Sequence, residues 1–244
     1  MNMHANDELE LSVARLALGG RGVARLDGMV VFVDGALPGE TVMAKVTQVK
    51  KGFAEAVAER IITPAPEAVE PRCPHFGVCG GCDWQRLDYP AQLFWKREQV
   101  AETLARLGGL TGVPVADTVP SPEIYGYRNK MEFAFAGRLH LGLRERRNPA
   151  RALDIETCPL MAPWAGEVVN ATRALCRDTG LAAYDPRTGK GVWRHLVLRD
   201  AVHDGSRLVH CITGPSRSAG DAVLELGKAL LARFPDLTGF VHSV

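Results

Sequence analysis

Closely spaced turn signals divide the first 62 residues and restrict what the chain can form there. Four dipeptides that favour turns separate short, alternating apolar stretches: Asp27-Gly28, Asp34-Gly35, Pro38-Gly39 and Lys51-Gly52. An Asp-Gly pair between such stretches is typical of a β-hairpin. Five short strands without a helical period predict a small, closed all-β barrel over residues 1–62. A non-specific β-sandwich is the alternative.

The remainder of the chain has a mixed pattern. Residues 63–72 contain three prolines and are interpreted as a linker. Apolar periodicity then predicts helices over residues 90–107, 162–178 and 219–233, with hairpins that turn at Gly137 and at Asp204-Gly205. We therefore expect an α+β mixed-sheet domain over residues 73–244, following the barrel.

The composition narrows the class of protein. The chain is 46% hydrophobic and 23% charged, with a formal net charge of +1. It has no apolar run near the roughly 20 residues that a membrane helix needs. The polar start MNMHANDELE lacks the features of a secretory signal. We therefore expect a cytoplasmic protein with no membrane partner, and the sequence indicates no obligate protein partner.

Three of the six cysteines lie within ten residues, in the stretch CPHFGVCGGCDWQ, and a fourth follows much later, before a proline. These four are Cys73, Cys79, Cys82 and Cys158. In a reducing compartment, spaced cysteines are more often metal ligands or catalytic groups than disulfides. Four thiolates can complete a zinc site or an iron–sulfur cluster, and the single CxxC pair with an isolated fourth cysteine favours the cluster.

The glycines between these cysteines support the same interpretation, because they allow the backbone amides to approach a cluster closely. Buried, inert cysteines are the alternative. That interpretation suits Cys176 and Cys211 better, since each stands alone in an apolar helix or strand pattern.

Residues 125–151 carry a local net charge of +5, which the overall charge of +1 conceals. A positive charge of this size near one hairpin suits phosphates, and neighbouring aromatic side chains offer faces on which unpaired bases stack. A solvated charged face is the alternative. The candidate RNA-binding residues are Arg128, Lys130, Arg144, Arg146 and Arg147 in this segment, and Lys50 and Lys51 in the barrel.

These stretches resemble the RNA (uracil-5-)-methyltransferases that act on 23S rRNA and tRNA. GGRGVARLDGMVVFVDGALPGETVMAKV is similar to their TRAM domain, a small, OB-like, RNA-binding β-barrel. CPHFGVCGGCDWQ and the later CPL are similar to their four-cysteine motif, and YGYRNKMEFAF, LGLRERR and GKGVWRHLVLR to their central domain.

The resemblance implies RNA binding by the barrel and a 4Fe-4S cluster on Cys73, Cys79, Cys82 and Cys158. It also implies methyl transfer from S-adenosylmethionine to C5 of a uridine in RNA, with 23S rRNA as the first expectation. In that chemistry a cysteine thiolate adds to C6 of the ring and C5 takes the methyl group. A base then removes the C5 proton, so that the thiolate leaves C6.

The sequence also departs from this family. Its catalytic part normally follows the central domain, and we find neither a glycine-rich turn for S-adenosylmethionine nor the nucleophile motif. We therefore assign no catalytic and no cofactor-binding residue, and expect this span alone to be inactive. We also expect apolar surface of the helix over residues 90–107, at Phe94 or Trp95, to pack toward the absent catalytic domain.

Two other functions remain open. The first is a stand-alone RNA-binding iron–sulfur protein without catalytic activity. The second is a radical methylthiotransferase, which the five-residue gap between Cys73 and Cys79 and the N-terminal position of the barrel disfavour.

Overall fold

The structure is a computed structural model that describes residues 3–216 and 219–244. The chain divides into two compact units. The first contains residues up to Arg72 together with Cys82–Pro122, and the second contains Cys73–Gly81 together with Glu123–Val244. The predicted division, with one domain over residues 73–244, therefore differs from the structure, because the segment 82–122 belongs to the barrel unit.

The first unit is built on a closed five-stranded barrel, as predicted. Its strands are β1 (Glu8–Leu16), β2 (Gly22–Leu26), β3 (Met29–Asp34), β4 (Thr41–Lys50) and β5 (Phe53–Thr63), in the order β1-β2-β3-β5-β4. Strands β3 and β5 are parallel, and the other described pairs are antiparallel. Alternate side chains fill the interior, among them Leu11, Val13, Val31, Val33, Val42, Val46 and Ala54.

Helix α1 (Tyr89–Arg106) packs on the barrel within this unit. The Asp88 side chain caps its first turn by accepting a hydrogen bond of 2.8 Å from the Ala91 amide. Further along, the Gln99 side chain donates to the Ala17 carbonyl at 2.8 Å. Trp95 packs on a small apolar cluster that contains Leu16. These contacts explain why the helix belongs with the barrel and not with the rest of the predicted 73–244 domain.

A buried carboxylate fixes the segment that leads into α1. Glu40 is 1% exposed and accepts a hydrogen bond of 2.8 Å from the Leu37 amide. Its other oxygen forms an ion pair of 2.5 Å with Arg86, which also donates to the Gly35 carbonyl at 2.9 Å. Because a buried charge is costly without a partner, this pair ties residues 84–88 firmly to the barrel.

The second unit is a mixed sheet with two helices, as the pattern predicted. Its elements are β6 (Lys130–Ala136), β7 (His140–Gly142), α2 (Pro163–Asp178), β8 (Trp193–Ala201), β9 (Ser206–Thr213), α3 (Ala219–Arg233) and β10 (Gly239–Ser243). The sheet order is β10-β9-β8-β6-β7, and only β10 and β9 are parallel among the described pairs. No helix within the described ranges is long and apolar enough to cross a membrane.

The core of this unit lies between the sheet and the helices. Trp193, Leu196 and Leu198 of β8 are fully buried, and they share one cluster with Val168 of α2 and Leu230 of α3. A side chain cannot be accommodated at Gly142 on β7, since a Cβ there would lie 1.8 Å from the Leu153 carbonyl oxygen. The segment that approaches Cys158 therefore runs tightly against β7.

Candidate nucleic-acid interface and cysteine loop

Two basic side chains of the barrel converge on a single carboxylate. Arg21 and Lys50 each place a nitrogen 3.4 Å from the same oxygen of Glu55. The Arg21 guanidinium lies 4.7 Å from the ring centroid of Phe32, and the Lys50 ammonium lies 5.1 Å from that of Phe53. We call these five side chains the outer-face cluster.

The two rings of the outer-face cluster contact each other edge to face, with centroids 5.6 Å apart. Partial burial raises the pKa of Glu55, but the hydrogen bonds and charges of Lys50 and Arg21 outweigh this effect, so the pKa lies below its ordinary value. Lys51 is exposed in the turn that follows Lys50. Of the two predicted lysines, the structure thus places Lys50 in a defined cluster and Lys51 beside it.

The basic segment of the second unit presents a more open surface. Lys130, Arg144 and Arg147 are exposed, whereas Arg128 and Arg146 are half-buried. Arg144 and Arg146 follow β7 and flank a backbone pairing with residues 73–81, which we call the cysteine loop. The Gly80 amide donates to the Arg144 carbonyl at 3.0 Å, and the Arg146 amide donates to the Val78 carbonyl at 2.8 Å.

The cysteine loop is therefore held directly against the predicted RNA-binding arginines. Cys79 pairs with Glu145 in an antiparallel bridge between the two hydrogen bonds. A Cβ at Gly80 would approach the Arg144 carbonyl oxygen to 3.3 Å, so a glycine suits this close approach. The sequence contained the glycine but no local signal for its partner strand.

Arg128 connects the cysteine loop with the segment that follows Cys158. Its amide donates to the Leu160 carbonyl at 2.8 Å, and its guanidinium donates to the Gly81 carbonyl at 3.3 Å. The Gly126 amide adds a bond of 2.9 Å to the Pro159 carbonyl. Arg128, predicted as a phosphate contact, is thus also a brace between two cysteine-bearing segments of the second unit.

The structure does not show the predicted four-cysteine metal site. Cys73, Cys79 and Cys158 belong to the second unit, and Cys82 belongs to the first. Among residues 3–216 and 219–244, no group of three or more His, Cys, Asp or Glu side chains could hold a metal ion. One feature does suit a cluster ligand: the Gly81 amide donates to the Cys79 sulfur at 3.4 Å.

A buried arginine positions the segment before Cys158. Arg173 of α2 forms an ion pair of 2.6 Å with Asp154, and donates to the carbonyls of Leu141, at 3.0 Å, and Ile155. Asp154 also accepts hydrogen bonds of 3.0 Å from the Leu141 amide and from Arg177. Burial raises the pKa of Asp154, but the Leu141 amide and the two arginines outweigh it, so the pKa lies below its ordinary value.

Cys176 and Cys211 are core residues, as predicted. Both are 0% exposed within the cluster that includes Trp193. Burial raises the pKa of the Cys211 thiol to about 12, and burial together with the neighbouring Cys211 raises that of Cys176. Two protonated, inaccessible thiols are unsuited to act as nucleophiles.

Three comparisons relate this chain to known proteins. Residues 5–58 match the TRAM domain. An uncharacterized RNA methyltransferase of Nitratidesulfovibrio vulgaris is 42% identical over 97% of this chain and 51% of its own length. Another, of Gloeobacter violaceus, is 36% identical over 93% of this chain and 50% of its own length. The chain thus spans about half the length of the curated relatives it matches.

A solved structure shares the fold. It is Pyrococcus abyssi tRNA (uracil-54, C5)-methyltransferase in complex with S-adenosyl-L-homocysteine, which is 23% identical with a TM-score of 0.65. The match covers 86% of this chain and 47% of that one. The chain is thus similar to about half the length of proteins named RNA methyltransferases, and the solved structure shows the same fold. These similarities agree with the resemblance to the RNA (uracil-5-)-methyltransferases seen in the sequence.

Replacing Asp154 with Asn tests the network that positions Cys158. Charge-assisted hydrogen bonds contribute about 1.5–3 kcal/mol, and the partial exposure of this side chain reduces the expected loss at pH 7 to about 1 kcal/mol. Because the folded pKa of Asp154 lies below its ordinary value, the ionised group stabilises the fold at neutral pH. The difference in the free energy of unfolding between wild type and variant should shrink as the pH falls below 3.8, the ordinary pKa of this group, and through its lower pKa in the folded protein.

Urea denaturation across this pH range measures the effect. Asp236→Asn is the matched control, because Asp236 also pairs with an arginine, at 3.2 Å, but its side chain is 79% exposed. The control should change the free energy of unfolding little at any pH. A loss in Asp154→Asn that equals the control, or that does not vary with pH, would contradict this account of the network.

Proposed function

We propose that this chain supplies the RNA-binding portion of an S-adenosylmethionine-dependent methyltransferase that modifies C5 of a specific uridine, with 23S rRNA as the first substrate to test. The observation that carries the proposal is the match to an RNA methyltransferase at 42% identity over 97% of the chain. The TRAM match over residues 5–58 supports RNA as the substrate class. The choice of C5 of uridine rests on the family resemblance.

Each unit presents basic side chains suited to RNA phosphates. On the barrel these are Lys50, which lies over the partly buried ring of Phe53, and the exposed Lys51. In the second unit Lys130, Arg144 and Arg147 are exposed and Arg146 is half-buried, and the backbone of Arg144 and Arg146 pairs with the cysteine loop. Phosphate contacts position an RNA without reading its sequence, so these residues would set the register of the substrate.

The chemistry limits which part of the reaction this chain performs. S-adenosylmethionine supplies the methyl group, and an accessible thiolate must attack the uracil ring after the base leaves its stack. Cys176 and Cys211 are buried thiols, so we assign neither this role. The contribution of the residues described above is to bind and orient the RNA.

We also propose that Cys73, Cys79, Cys82 and Cys158 hold a 4Fe-4S cluster. The support consists of four thiolate donors in the family's spacing and the amide of Gly81 directed at the Cys79 sulfur. Since the reaction involves no net electron transfer, a cluster here would be structural. It would brace the cysteine loop and the segment around Cys158.

The exposed side of helix α1 suits the part of the relatives that this chain does not match. Phe94 is 49% exposed, Val100 51% and Leu107 83%, while Trp95 and Gln99 face the barrel. Large apolar side chains left exposed along one helix are a feature of interfaces. We propose that they contact the catalytic half in a protein of the relatives' length.

Methyl transfer is tested with the product of the complete gene and with the 244-residue chain. Each is incubated with labelled S-adenosylmethionine and unmodified 23S rRNA or tRNA, and the products are digested to nucleosides. We expect 5-methyluridine in 23S rRNA with the complete product, and RNA binding without methylation by the 244-residue chain. Methylation of tRNA but not of 23S rRNA would identify tRNA as the substrate in place of 23S rRNA. RNA binding without methylation by the complete product would favour the stand-alone RNA-binding iron–sulfur protein.

Iron and acid-labile sulfide analysis after anaerobic purification tests the cluster. Wild-type protein should contain about four iron atoms per chain, as a 4Fe-4S cluster requires. Cys158→Ser should lose the iron, melt at a lower temperature and bind RNA more weakly. Cys211→Ala, which alters a core cysteine outside the set, should keep its iron. Iron-free wild-type protein would contradict the cluster, and an iron-free Cys158→Ser variant with an unchanged melting temperature would contradict its structural role.

A further inference from the structure

The outer-face cluster arises from the register of three strands. Phe32 on β3 lies opposite Glu55 on β5, and Phe53 on β5 lies opposite Lys50 on β4. Ala54 is buried between Phe53 and Glu55, so these two side chains share the outer face of the barrel. Arg21 immediately precedes β2, whose Val23 lies opposite Phe32.

Two phenylalanines on the outside of a barrel are unusual for a purely structural role. Both rings are only partly buried. The rings lie beside two cations and a carboxylate. Aromatic rings and arginine guanidinium planes are the surfaces on which unpaired RNA bases stack. Ammonium and guanidinium groups, such as those of Lys50 and Arg21, bind phosphates in proteins.

The position of Glu55 indicates what kind of group the outer-face cluster can bind. One of its oxygens lies 3.4 Å from both cations. Each cation also lies over a ring, so two positive charges are held beside one anionic oxygen. A phosphate oxygen of a bound nucleotide would satisfy the same two donors.

We propose that the outer-face cluster binds an unpaired RNA nucleotide, and that Glu55 occupies the place that the phosphate of this nucleotide takes. The inference rests on the proposed RNA-binding function and specifies how the barrel performs it. RNA must displace Glu55 from Arg21 and Lys50, so the carboxylate weakens binding. A ligand that brings both a phosphate and a stacking base overcomes this competition, whereas inorganic phosphate does not.

Glu55→Gln tests the competition directly. Removing the charge should tighten binding of a labelled single-stranded RNA about three- to fivefold, a small change because solvent screens an exposed ion pair. Glu59→Gln is the matched control, because Glu59 is exposed on the same strand and outside the cluster. At physiological salt, screening should leave the control within about twofold of wild type.

Phe53→Leu and Phe32→Leu test the stacking surface. Leucine keeps the apolar volume but removes the ring, so each variant should weaken single-stranded RNA binding at least fivefold, since a stacked base contributes about 1–3 kcal/mol. A duplex of the same sequence should bind more weakly than the single strand to the wild-type chain, and binding of the duplex should depend little on either ring. Thermal melting of each variant confirms that the barrel remains folded.

The outcomes separate this inference from the proposed function. If the wild-type chain binds RNA and Glu55→Gln changes the affinity no more than Glu59→Gln does, the proposed role of Glu55 is wrong. Wild-type binding unaffected by both phenylalanine variants would overturn the nucleotide site while leaving the proposed RNA-binding function intact. If the wild-type chain binds no RNA, the proposed function fails and this inference fails with it.

Discussion

The inside–outside alternation of the closed barrel is the constraint on which the first unit depends. Its interior is narrow and is filled by small and branched side chains such as Val31 and Ala54. Every second residue must therefore face outward, whatever its chemistry. The alternation forces Phe32 and Phe53 to the surface and brings Lys50 and Glu55 beside them. The packing of the barrel thus creates a charged aromatic surface on its outside.

In the second unit, close packing of the backbone determines where the basic side chains lie. The absence of a side chain at Gly142 and the buried guanidinium of Arg173 hold residues 153–155 against β7. Backbone pairing then holds the cysteine loop against Arg144 and Arg146. The basic side chains are consequently supported by a backbone with little freedom, and ordered charges lose less conformational entropy when they bind a ligand.

Local patterns in the sequence were sufficient for the secondary structure. Turn dipeptides separated the barrel strands, and apolar periodicity located all three helices to within about two residues, which is the ordinary uncertainty of helix ends. The division into units could not be predicted this way. It depends on Glu40 with Arg86, and on Gln99 with the Ala17 carbonyl, and these pairs are far apart in the chain.

The candidate nucleic-acid interface could likewise be predicted only in part from the sequence. Composition identified the arginines after β7, because their local excess of charge is visible in any window. The barrel has no such excess, and Lys50 was predicted only from an expected grouping of the barrel's basic residues on one side. Lys50 and Glu55 meet across the β4–β5 hairpin, whose turn the sequence predicted. The approach of Phe32 and Arg21 to Glu55 depends instead on the register of parallel strands β3 and β5, for which the sequence has no local signal. A weaker signal was present: Phe32 and Phe53 occupy the outward positions of strands whose inward positions are Val31, Val33 and Ala54.

The salt dependence of RNA binding tests the central claim, that this chain binds RNA through its basic surfaces. The logarithm of the affinity for single-stranded RNA should fall linearly with the logarithm of salt concentration, by about 0.7 for each phosphate contact. Arg144→Gln combined with Arg147→Gln should therefore reduce the slope by about 1.4 while the protein remains folded. Binding that does not depend on salt, or a slope that the two substitutions leave unchanged, would contradict the claim.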